Sequence, residues 1–244
     1  MPEGPSIVIL KEGAQQFIGK KILHVSGNSK IDLARIQGQT IIDLKSWGKH
    51  FLVCFKDFFL RIHLLMFGSY RINEQRELAP RLSMMFENGQ FNFYSCSIKL
   101  IEGKTENIYD WELDTMSENW NSARALKSVR SLENSMICDA LLDQNIFAGV
   151  GNIIKNEALF ITKVHPEAKV KSIPVKKLKE IVSVTRDYCF DFYRWKKEYT
   201  LRAHWLIYRR SVCPRCNIKI KMKYIGMTDR QSFFCNNCQI FYKK

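Results

Sequence analysis

Hydrophobic and polar positions follow three different patterns along the 244 residues of the chain. Between Lys21 and Gly103, short β-branched and aromatic runs are separated by turn residues, which is typical of a β-sandwich. From Ala123 onward, apolar residues recur with the period of a helix. From Ile218, apolar and polar residues alternate again as they do in strands. The pattern therefore predicts an α+β fold with an N-terminal β-sandwich, a helical segment and a C-terminal β-hairpin.

The first part of the chain is expected to begin with a helix. Residues 7–17 have helix-forming composition, and Gly19 is placed to end that helix as a C-cap glycine. Asn88-Gly89 is a strong signal for a hairpin turn between two of the strands. The predicted strands cover residues 22–25, 40–44, 51–55, 59–63, 69–72, 82–86, 90–94 and 98–101.

The second part of the chain follows an acidic stretch. Residues 110–122 carry four carboxylates without a clear period, and we interpret them as a linker. Helices are predicted at 136–142 and 153–160, and a long third helix after Pro174. The expected division is a β-sandwich domain at 1–109, the linker at 110–122, a helical domain at 123–210 and a hairpin at 211–244.

Composition narrows the class of protein. Hydrophobic residues make up 46% of the chain, as in ordinary globular proteins. The sequence has neither an apolar run as long as a membrane span nor a signal-peptide pattern, so we expect a cytoplasmic protein without a membrane partner. The net charge of +14 suits a polyanion such as nucleic acid. Charge alone also fits a basic protein with no such partner.

The C-terminal cysteines carry the strongest chemical signal. Cys213 and Cys216 form one Cys-x-x-Cys pair, and Cys235 and Cys238 form another eighteen residues later. This spacing predicts one zinc ion held by four thiolates, which close its coordination sphere and make it structural. Four unligated thiols are the alternative. The remaining cysteines lie in apolar surroundings and are interpreted as reduced core thiols: Cys54, Cys96, Cys138 and Cys189.

Several turns carry residues suited to a phosphate or a base. Asn152 ends a Gly-Val-Gly-Asn turn, where it can cap a helix and donate to an anion, although a plain helical hairpin is the better explanation of that turn taken alone. Arg230 follows the tip of the predicted hairpin, where a guanidinium can bind a phosphate or stay solvated. Lys49 follows a glycine between two strands. Leu65, Met66 and Phe67 belong either to the core or to a wedge between bases.

The first residues hold a candidate nucleophile. Removal of Met1 leaves Pro2 with a free secondary amine beside the carboxylate of Glu3. Such an amine can attack a sugar aldehyde carbon and form an iminium ion, which is the chemistry of Schiff-base catalysis. Many cytosolic proteins begin with Met-Pro, so these two residues are informative only together with the rest of the chain.

Taken in order, these motifs resemble the formamidopyrimidine-DNA glycosylase / endonuclease VIII family. The shared features are the Met-Pro-Glu-Gly-Pro start, the Gly48-Lys49 pair, the helix-two-turn-helix segment 141–152 with Glu157, His165-Pro166, and the terminal zinc hairpin with Arg230. The opening and residues 93–97 look more like the bacterial endonuclease VIII branch, whose substrates are oxidised pyrimidines.

The resemblance implies a monomeric, nucleoid-associated DNA glycosylase and abasic-site lyase acting on double-stranded DNA with damaged bases or abasic sites. Pro2 would attack C1′ of the flipped nucleotide and Glu3 would shuttle protons, with β- and δ-elimination following. Lys49 would act in catalysis and also bind a phosphate. Asn152 and Arg230 would bind the phosphates that flank the lesion. Leu65, Met66 and Phe67 would fill the space left by the flipped base.

Two departures from the family pattern leave alternatives open. Ser6 stands where the family usually has a second glutamate, and residues 95–104 lack the arginine-rich loop of the branch that excises purine lesions. A damage-binding protein on the same scaffold, with weak or lost base excision, is therefore a second hypothesis. An RNA-binding zinc-ribbon protein explains the charge and the cysteines, but not the Pro2-Glu3 start or the Gly-Val-Gly-Asn turn.

Overall fold

The computed structural model describes residues 2–243, whose contacts divide the chain into two units. The first unit ends at Asp110 and the second begins at Trp111. Among residues 2–243, no helix combines the length and the apolar character that crossing a membrane requires.

Eight strands among residues 2–110 form two antiparallel sheets, which confirms the predicted N-terminal sheet architecture. One sheet has the order β1-β6-β7-β5 and the other has the order β2-β3-β4-β8. The strands are β1 (His24–Ser26), β2 (Asp43–Trp47), β3 (His50–Cys54), β4 (Phe58–His63), β5 (Ser69–Ile72), β6 (Leu82–Phe86), β7 (Gly89–Tyr94) and β8 (Ser97–Glu102).

Aromatic side chains from both sheets fill the core of the first unit. Phe91 of β7 lies with its ring centroid 5.7 Å from that of Phe51 of β3 and 4.3 Å from that of Phe93. Phe17 stacks on Phe86 at 4.5 Å. Because inward-facing residues alternate with outward-facing ones along each strand, this core is the physical reason for the period seen in the sequence.

The N-terminal helix α1 (Gly4–Gly13) differs from its prediction at both ends. It begins earlier than residue 7 because Pro5 suits the first turn, where its missing N–H is not needed. It ends at Gly13, and a separate 3₁₀ turn (Gln15–Phe17) directs Phe17 into the core. Gly19 takes a positive φ of 76° beyond that turn.

The hairpin between β6 and β7 also differs by one residue from its prediction. Phe86 pairs with Gly89, so the two loop residues are Glu87 and Asn88 rather than Asn88 and Gly89. Gly89 begins β7 with φ at 142°, and a Cβ there would lie 1.9 Å from the side-chain oxygen of Asn73. Close approach of Asn73, rather than the turn itself, explains the glycine.

The second unit contains four α-helices and a hairpin within the described residues 111–243. These are α2 (Ser122–Ser131), α3 (Ile137–Leu142), α4 (Asn152–Ile161), α5 (Val175–Lys197), β9 (Lys221–Ile225) and β10 (Arg230–Phe234). Helix α4 is buried from Asn152 to Phe160 and packs against α3, α5 and β10. Residues 111–122, most of the predicted linker, belong to this unit, where Thr115 is buried and its N–H donates to Ala148 O at 3.2 Å.

Candidate functional site

The N-terminal residues meet at the start of α1. Pro2 is half-buried, and Glu3 is wholly buried at the N-cap position in an extended conformation. The carbonyl oxygen of Glu3 accepts from the Ser6 N–H at 2.8 Å, which starts the helix, while its carboxylate does not cap the helix. A carboxylate at a helix N-terminus is favoured by the helix dipole. The structure thus places the Glu3 acid beside Pro2. Met1 lies outside the described residues.

Lys49 sits in the two-residue loop that joins β2 to β3. Trp47 pairs with His50 across this hairpin, and Gly48 takes φ at 53°, which such a loop requires at its first position. Lys49 is partly exposed. The glycine-lysine pair noted in the sequence is therefore a tight turn that presents the lysine at one end of the sheet.

Two histidines and two aromatic rings surround the base of this turn. His50 and His63 pair across β3 and β4, and their ring centroids lie 5.4 Å apart. Nδ1 of His50 lies 3.3 Å from the Tyr109 hydroxyl, and the Trp47 ring lies 5.0 Å from that of Tyr109. The sequence contained both histidines but no local signal that they meet, because the strand register brings them together.

Both histidines are held neutral by their surroundings. Burial, together with the positive charges of His63, Arg61 and Lys49, lowers the pKa of His50 to about 3. Burial and the charges of Lys49 and Arg61 also lower the pKa of His63. At neutral pH, the positive charges beside these neutral histidines are therefore those of Lys49 and Arg61. Phosphate binding by Lys49 stays a prediction.

The depressed pKa of His50 predicts acid sensitivity. In the unfolded chain, His50 binds a proton below about pH 6.5, whereas in the folded chain it does so only near pH 3. The free energy of unfolding therefore falls as the pH is lowered from 6.5 to about 3. We expect His50→Gln to be less stable than wild type at pH 7. Between about pH 6 and 4, however, its free energy of unfolding should fall by about 1.4 kcal/mol less per pH unit than that of wild type. Urea unfolding at several pH values measures this difference. Parallel curves for the two proteins would contradict it.

The apolar loop after His63 does not belong to the core. Leu65, Met66 and Phe67 are 47, 51 and 85% exposed, whereas Leu64 is buried. The Gly68 N–H donates to Leu64 O at 2.7 Å, and a Cβ on Gly68 would lie 2.1 Å from that oxygen. A tight turn thus displays three large apolar side chains to solvent. Their exposure excludes the core interpretation, and the wedge stays a prediction.

The turn between α3 and α4 is braced by a side chain that sequence reasoning did not single out. Gln144 accepts from the Gly149 N–H at 3.1 Å and donates to Val150 O at 3.1 Å and Leu142 O at 2.8 Å. The N-cap of α4 is Gly151 rather than Asn152, which is the first helical residue. The predicted capping role of Asn152 is therefore wrong.

Asn152 instead contacts the strand that carries Arg230. Its Nδ2 donates to the carbonyl oxygen of Gln231 at 2.9 Å. Its Oδ1 is buried and has no hydrogen-bond partner among the described residues. Asn156, one turn along α4, accepts from the Phe233 N–H at 2.7 Å. Arg230, the first residue of β10, pairs with Ile225 and is partly exposed. The structure thus brings the two predicted phosphate ligands of this unit to neighbouring positions.

The four C-terminal cysteines form a candidate metal centre. The Sγ atoms of Cys213, Cys216, Cys235 and Cys238 all lie within 4.8 Å of one another, and those of Cys213 and Cys238 are 3.8 Å apart. A tetrahedral zinc with Zn–S bonds of about 2.3 Å separates its sulfurs by about 3.8 Å. The donor set therefore fits a closed, structural metal site.

The other cysteines are buried thiols, as predicted. Burial raises the pKa of Cys54 and Cys138 to about 12 and that of Cys96 to about 11, so these thiols stay protonated and unreactive at neutral pH. Cys189 is also free and buried.

The metal centre is joined directly to α4. Arg215, between Cys213 and Cys216, donates to Phe160 O at 2.6 Å and Ile161 O at 3.2 Å, and its guanidinium lies 4.1 Å from the Phe160 ring. Both carbonyl groups belong to the last turn of α4, and Phe160 O also accepts from the Lys163 N–H at 3.0 Å. Distortion of the cysteine centre is therefore expected to reach α4.

Comparisons with curated proteins give relatives in animals and bacteria. The chain is 35% identical over 216 residues to Endonuclease 8-like 3 of Mus musculus, covering 85% of this chain and 36% of that protein. It is 29% identical over 195 residues to Endonuclease 8-like 2 of Bos taurus, covering 74% and 58% respectively. It is 25% identical over 272 residues to Formamidopyrimidine-DNA glycosylase of Histophilus somni (strain 2336), covering 98% and 99%. The chain thus spans about a third of the length of the mouse protein.

Solved structures share the fold along nearly the whole chain. A viral DNA glycosylase superposes with a TM-score of 0.84 at 23% identity, covering 98% of this chain and 100% of that one. The Lactococcus lactis formamidopyrimidine-DNA glycosylase, non-covalently bound to DNA containing an abasic site, has the same TM-score at 22% identity and covers 97% and 99%.

Family models match both units. The formamidopyrimidine-DNA glycosylase N-terminal domain matches residues 1–96, and the helix-two-turn-helix (H2TH) domain of the same glycosylase matches residues 112–188. Both domains occur in the expected order, with the cysteine centre after them. The chain belongs to the formamidopyrimidine-DNA glycosylase / endonuclease VIII family.

Proposed function

We propose that this protein is a bifunctional DNA glycosylase and abasic-site lyase that uses the amino group of Pro2. The observation that carries the proposal is the Pro2-Glu3 pair at the start of α1, where the acid is wholly buried beside the proline. A carboxyl group next to the amine can give and take protons during the reaction. Family membership supports the same reaction class.

The proposed reaction begins after Met1 has been removed. The Pro2 nitrogen attacks C1′ of the damaged nucleotide and loses its proton, and the C1′–base bond breaks as the base leaves with a proton. Glu3 then delivers a proton to the ring oxygen, and the sugar ring opens as the nitrogen lone pair forms the C1′=N bond. The resulting iminium ion withdraws electrons, so a proton is lost from C2′ and the 3′ phosphate leaves. In a second elimination a proton is lost from C4′ and the 5′ phosphate leaves, and water then hydrolyses the iminium and releases Pro2.

The two units have different proposed roles. Residues 1–109 carry the reacting groups and Lys49, which binds a phosphate. The helical segment 123–210 and the hairpin 211–244 contribute Asn152 and Arg230 as phosphate ligands, and the metal is one structural zinc ion. Leu65, Met66 and Phe67 fill the space left by the flipped base, a role that their exposure supports.

We place the substrate preference with oxidised pyrimidines, as in the endonuclease VIII branch. The relatives named Endonuclease 8-like support that branch, and the absence of an arginine-rich loop at 95–104 in the sequence argues against purine lesions. We further propose a monomeric, cytoplasmic protein that is associated with the nucleoid through DNA binding.

A damage-binding protein without base excision is the second candidate, and Ser6 favours it. The side chain of Ser6 is a buried hydroxyl in the first turn of α1, where the family usually has a carboxylate. A hydroxyl cannot take a proton at neutral pH, so base removal is the step most exposed to this replacement.

Borohydride trapping separates the two candidates. Protein with Met1 removed, verified by mass spectrometry, is incubated with a duplex carrying one oxidised thymine and with a matched duplex carrying an abasic site. Borohydride then reduces any iminium to a stable bond. A covalent adduct mapped to Pro2 on both duplexes supports the bifunctional enzyme.

The other outcomes are equally informative. An adduct on the abasic duplex alone would mean that the protein has lyase activity but does not excise this lesion. Binding to both duplexes without any adduct favours the damage-binding protein, and a protein that keeps Met1 is the negative control.

Salt dependence tests the proposed phosphate contacts. Binding to an uncleavable abasic duplex is expected to weaken linearly in log salt, because each neutralised phosphate releases counterions. Arg230→Ala should lower the slope by about 0.9 and weaken binding at every sequence, whereas Arg124→Ala, an exposed arginine paired with Glu112, should leave both unchanged. Fluorescence anisotropy at several salt concentrations measures the slope. A flat salt dependence of the wild-type protein contradicts phosphate binding altogether.

A further inference from the structure

One backbone oxygen in the second unit accepts from three side chains of the same helix. The carbonyl oxygen of Gln231 lies 2.9 Å from Asn152 Nδ2, 3.3 Å from Asn156 Nδ2 and 3.4 Å from Lys155 Nζ. A carbonyl oxygen has two lone pairs, so three donors exceed what it needs. One donor can therefore leave without stranding a buried acceptor.

Lys155 is the unexpected member of this group. Its side chain is wholly buried, although lysine is almost never fully buried unless its ammonium is satisfied by partners. The ammonium donates to Ser232 Oγ at 2.7 Å. Burying an ammonium costs more than burying an apolar side chain, so its hydrogen bonds are what make this position suitable for lysine.

The bond to Ser232 leads to Arg230. Ser232 Oγ accepts from Lys155 and lies 3.4 Å from the carbonyl oxygen of Arg230, to which it donates. Residues two apart in a strand face the same side, so Arg230 and Ser232 project from the same face of β10. A hydrogen-bonded chain thus runs from the Lys155 ammonium through the serine hydroxyl to the backbone of the arginine.

We propose that Lys155 is a positioning residue for a phosphate clamp formed by Asn152 and Arg230. This inference rests on the proposed function, since Asn152 and Arg230 act there as phosphate ligands. Lys155 fixes the backbone of Arg230 through Ser232. Together with Asn156, it also keeps the Gln231 carbonyl satisfied when the Asn152 amide turns from that carbonyl to a DNA phosphate. Its ammonium lies close to the Gln231 carbonyl that Asn152 contacts, where a positive charge favours the same anion.

Lys155→Met and Ser232→Ala test the chain. Methionine keeps the length of the buried side chain and removes the ammonium, while alanine removes only the hydroxyl. The matched control is Lys179→Met, which deletes the same charge from an exposed position of α5. The measurements are zinc content, thermal unfolding, amide hydrogen exchange of β10, and affinity for an uncleavable abasic duplex at several salt concentrations.

We expect Lys155→Met to bind zinc and to weaken DNA binding about tenfold, the loss typical of one charge-assisted hydrogen bond. Its salt slope should fall by about one, and exchange at Arg230 and Ser232 should accelerate in the free protein. Ser232→Ala should weaken binding about threefold, and the double variant should be no weaker than Lys155→Met, because both act through one chain. Lys179→Met should match wild type.

The proposal would be overturned if a folded, zinc-bound Lys155→Met protein had the wild-type DNA affinity, salt slope and rate of hydrogen exchange in β10. Fully additive effects of the two substitutions would also overturn it. If Lys155→Met does not fold, an unchanged Ser232→Ala overturns it instead. Hydrogen exchange is measured without DNA, so it tests the positioning role independently of the proposed function. If the proposed function is wrong, the wild-type protein itself will not bind the duplex.

Discussion

Replacing Pro2 with glycine is expected to slow strand cleavage about 100-fold while DNA affinity changes less than about threefold. Glycine leaves a primary amine after Met1 removal, which can still form a Schiff base but lacks the secondary amine and the fixed ring of proline. A 100-fold loss corresponds to about 2.7 kcal/mol of transition-state stabilisation. Single-turnover cleavage of an abasic duplex measures the rate, and anisotropy with an uncleavable duplex measures the affinity.

An N-terminal extension of two residues before Pro2 provides the matched control. It converts the proline nitrogen into an amide, which has no nucleophilic lone pair, so trapping should disappear while binding persists. The expected order of cleavage rates is wild type, then Pro2→Gly, then the extended protein. Equal losses of rate and affinity in Pro2→Gly would contradict a nucleophilic role and would indicate a contact with DNA instead.

Replacing Cys235 with serine is expected to release the metal and to weaken DNA binding by about 100-fold or more. Cys235 is wholly buried, and its sulfur belongs to the group within 4.8 Å of one another. Structural zinc contributes about 10–16 kcal/mol of apparent binding free energy that also stabilises the fold, so losing one of four thiolates should unfold the hairpin. Arg230 would then lose its position, and α4 would lose the cap that Arg215 provides.

Cys54→Ser is the control for loss of a thiol alone. Cys54 is buried in the first unit and has no part in the metal centre. The Cys54→Ser protein should retain one zinc per chain, as measured by atomic absorption, and should bind DNA with wild-type affinity. A Cys235→Ser protein with full zinc content would show that the four sulfurs are not the ligands. A zinc-free protein with unchanged affinity would separate the metal from DNA binding.

The architecture of the first unit follows closely from local sequence. The predicted strand at 69–72 matches β5 in full, and that at 82–86 matches β6, because alternation of inward and outward side chains is a local property. The end of α1 was less predictable. Residues up to Phe17 have helix-forming composition, yet the helix ends at Gly13, because packing of Phe17 against Phe86 requires a tighter turn.

The candidate site divides in the same way. Pro2, Glu3, Lys49, Asn152 and Arg230 carry their chemistry in short motifs, so the sequence identifies them as candidates. The proximity of Asn152 to β10 had no such signal, because 79 residues separate it from Gln231. The structure also changed the interpretation of Asn152, which donates to a strand instead of capping its own helix.

By itself, the sequence determined the element types, the cysteine pairs and the residues able to react or bind a phosphate, since these depend on side-chain chemistry and short spacings. Only the tertiary structure decided that His50 meets His63, that Lys155 is buried under β10, and that residues 65–67 are exposed. The physical reason is that burial and long-range hydrogen bonds depend on which strand or helix covers a residue. That neighbour comes from a distant part of the chain, and it sets whether a histidine is charged or a lysine positions an arginine.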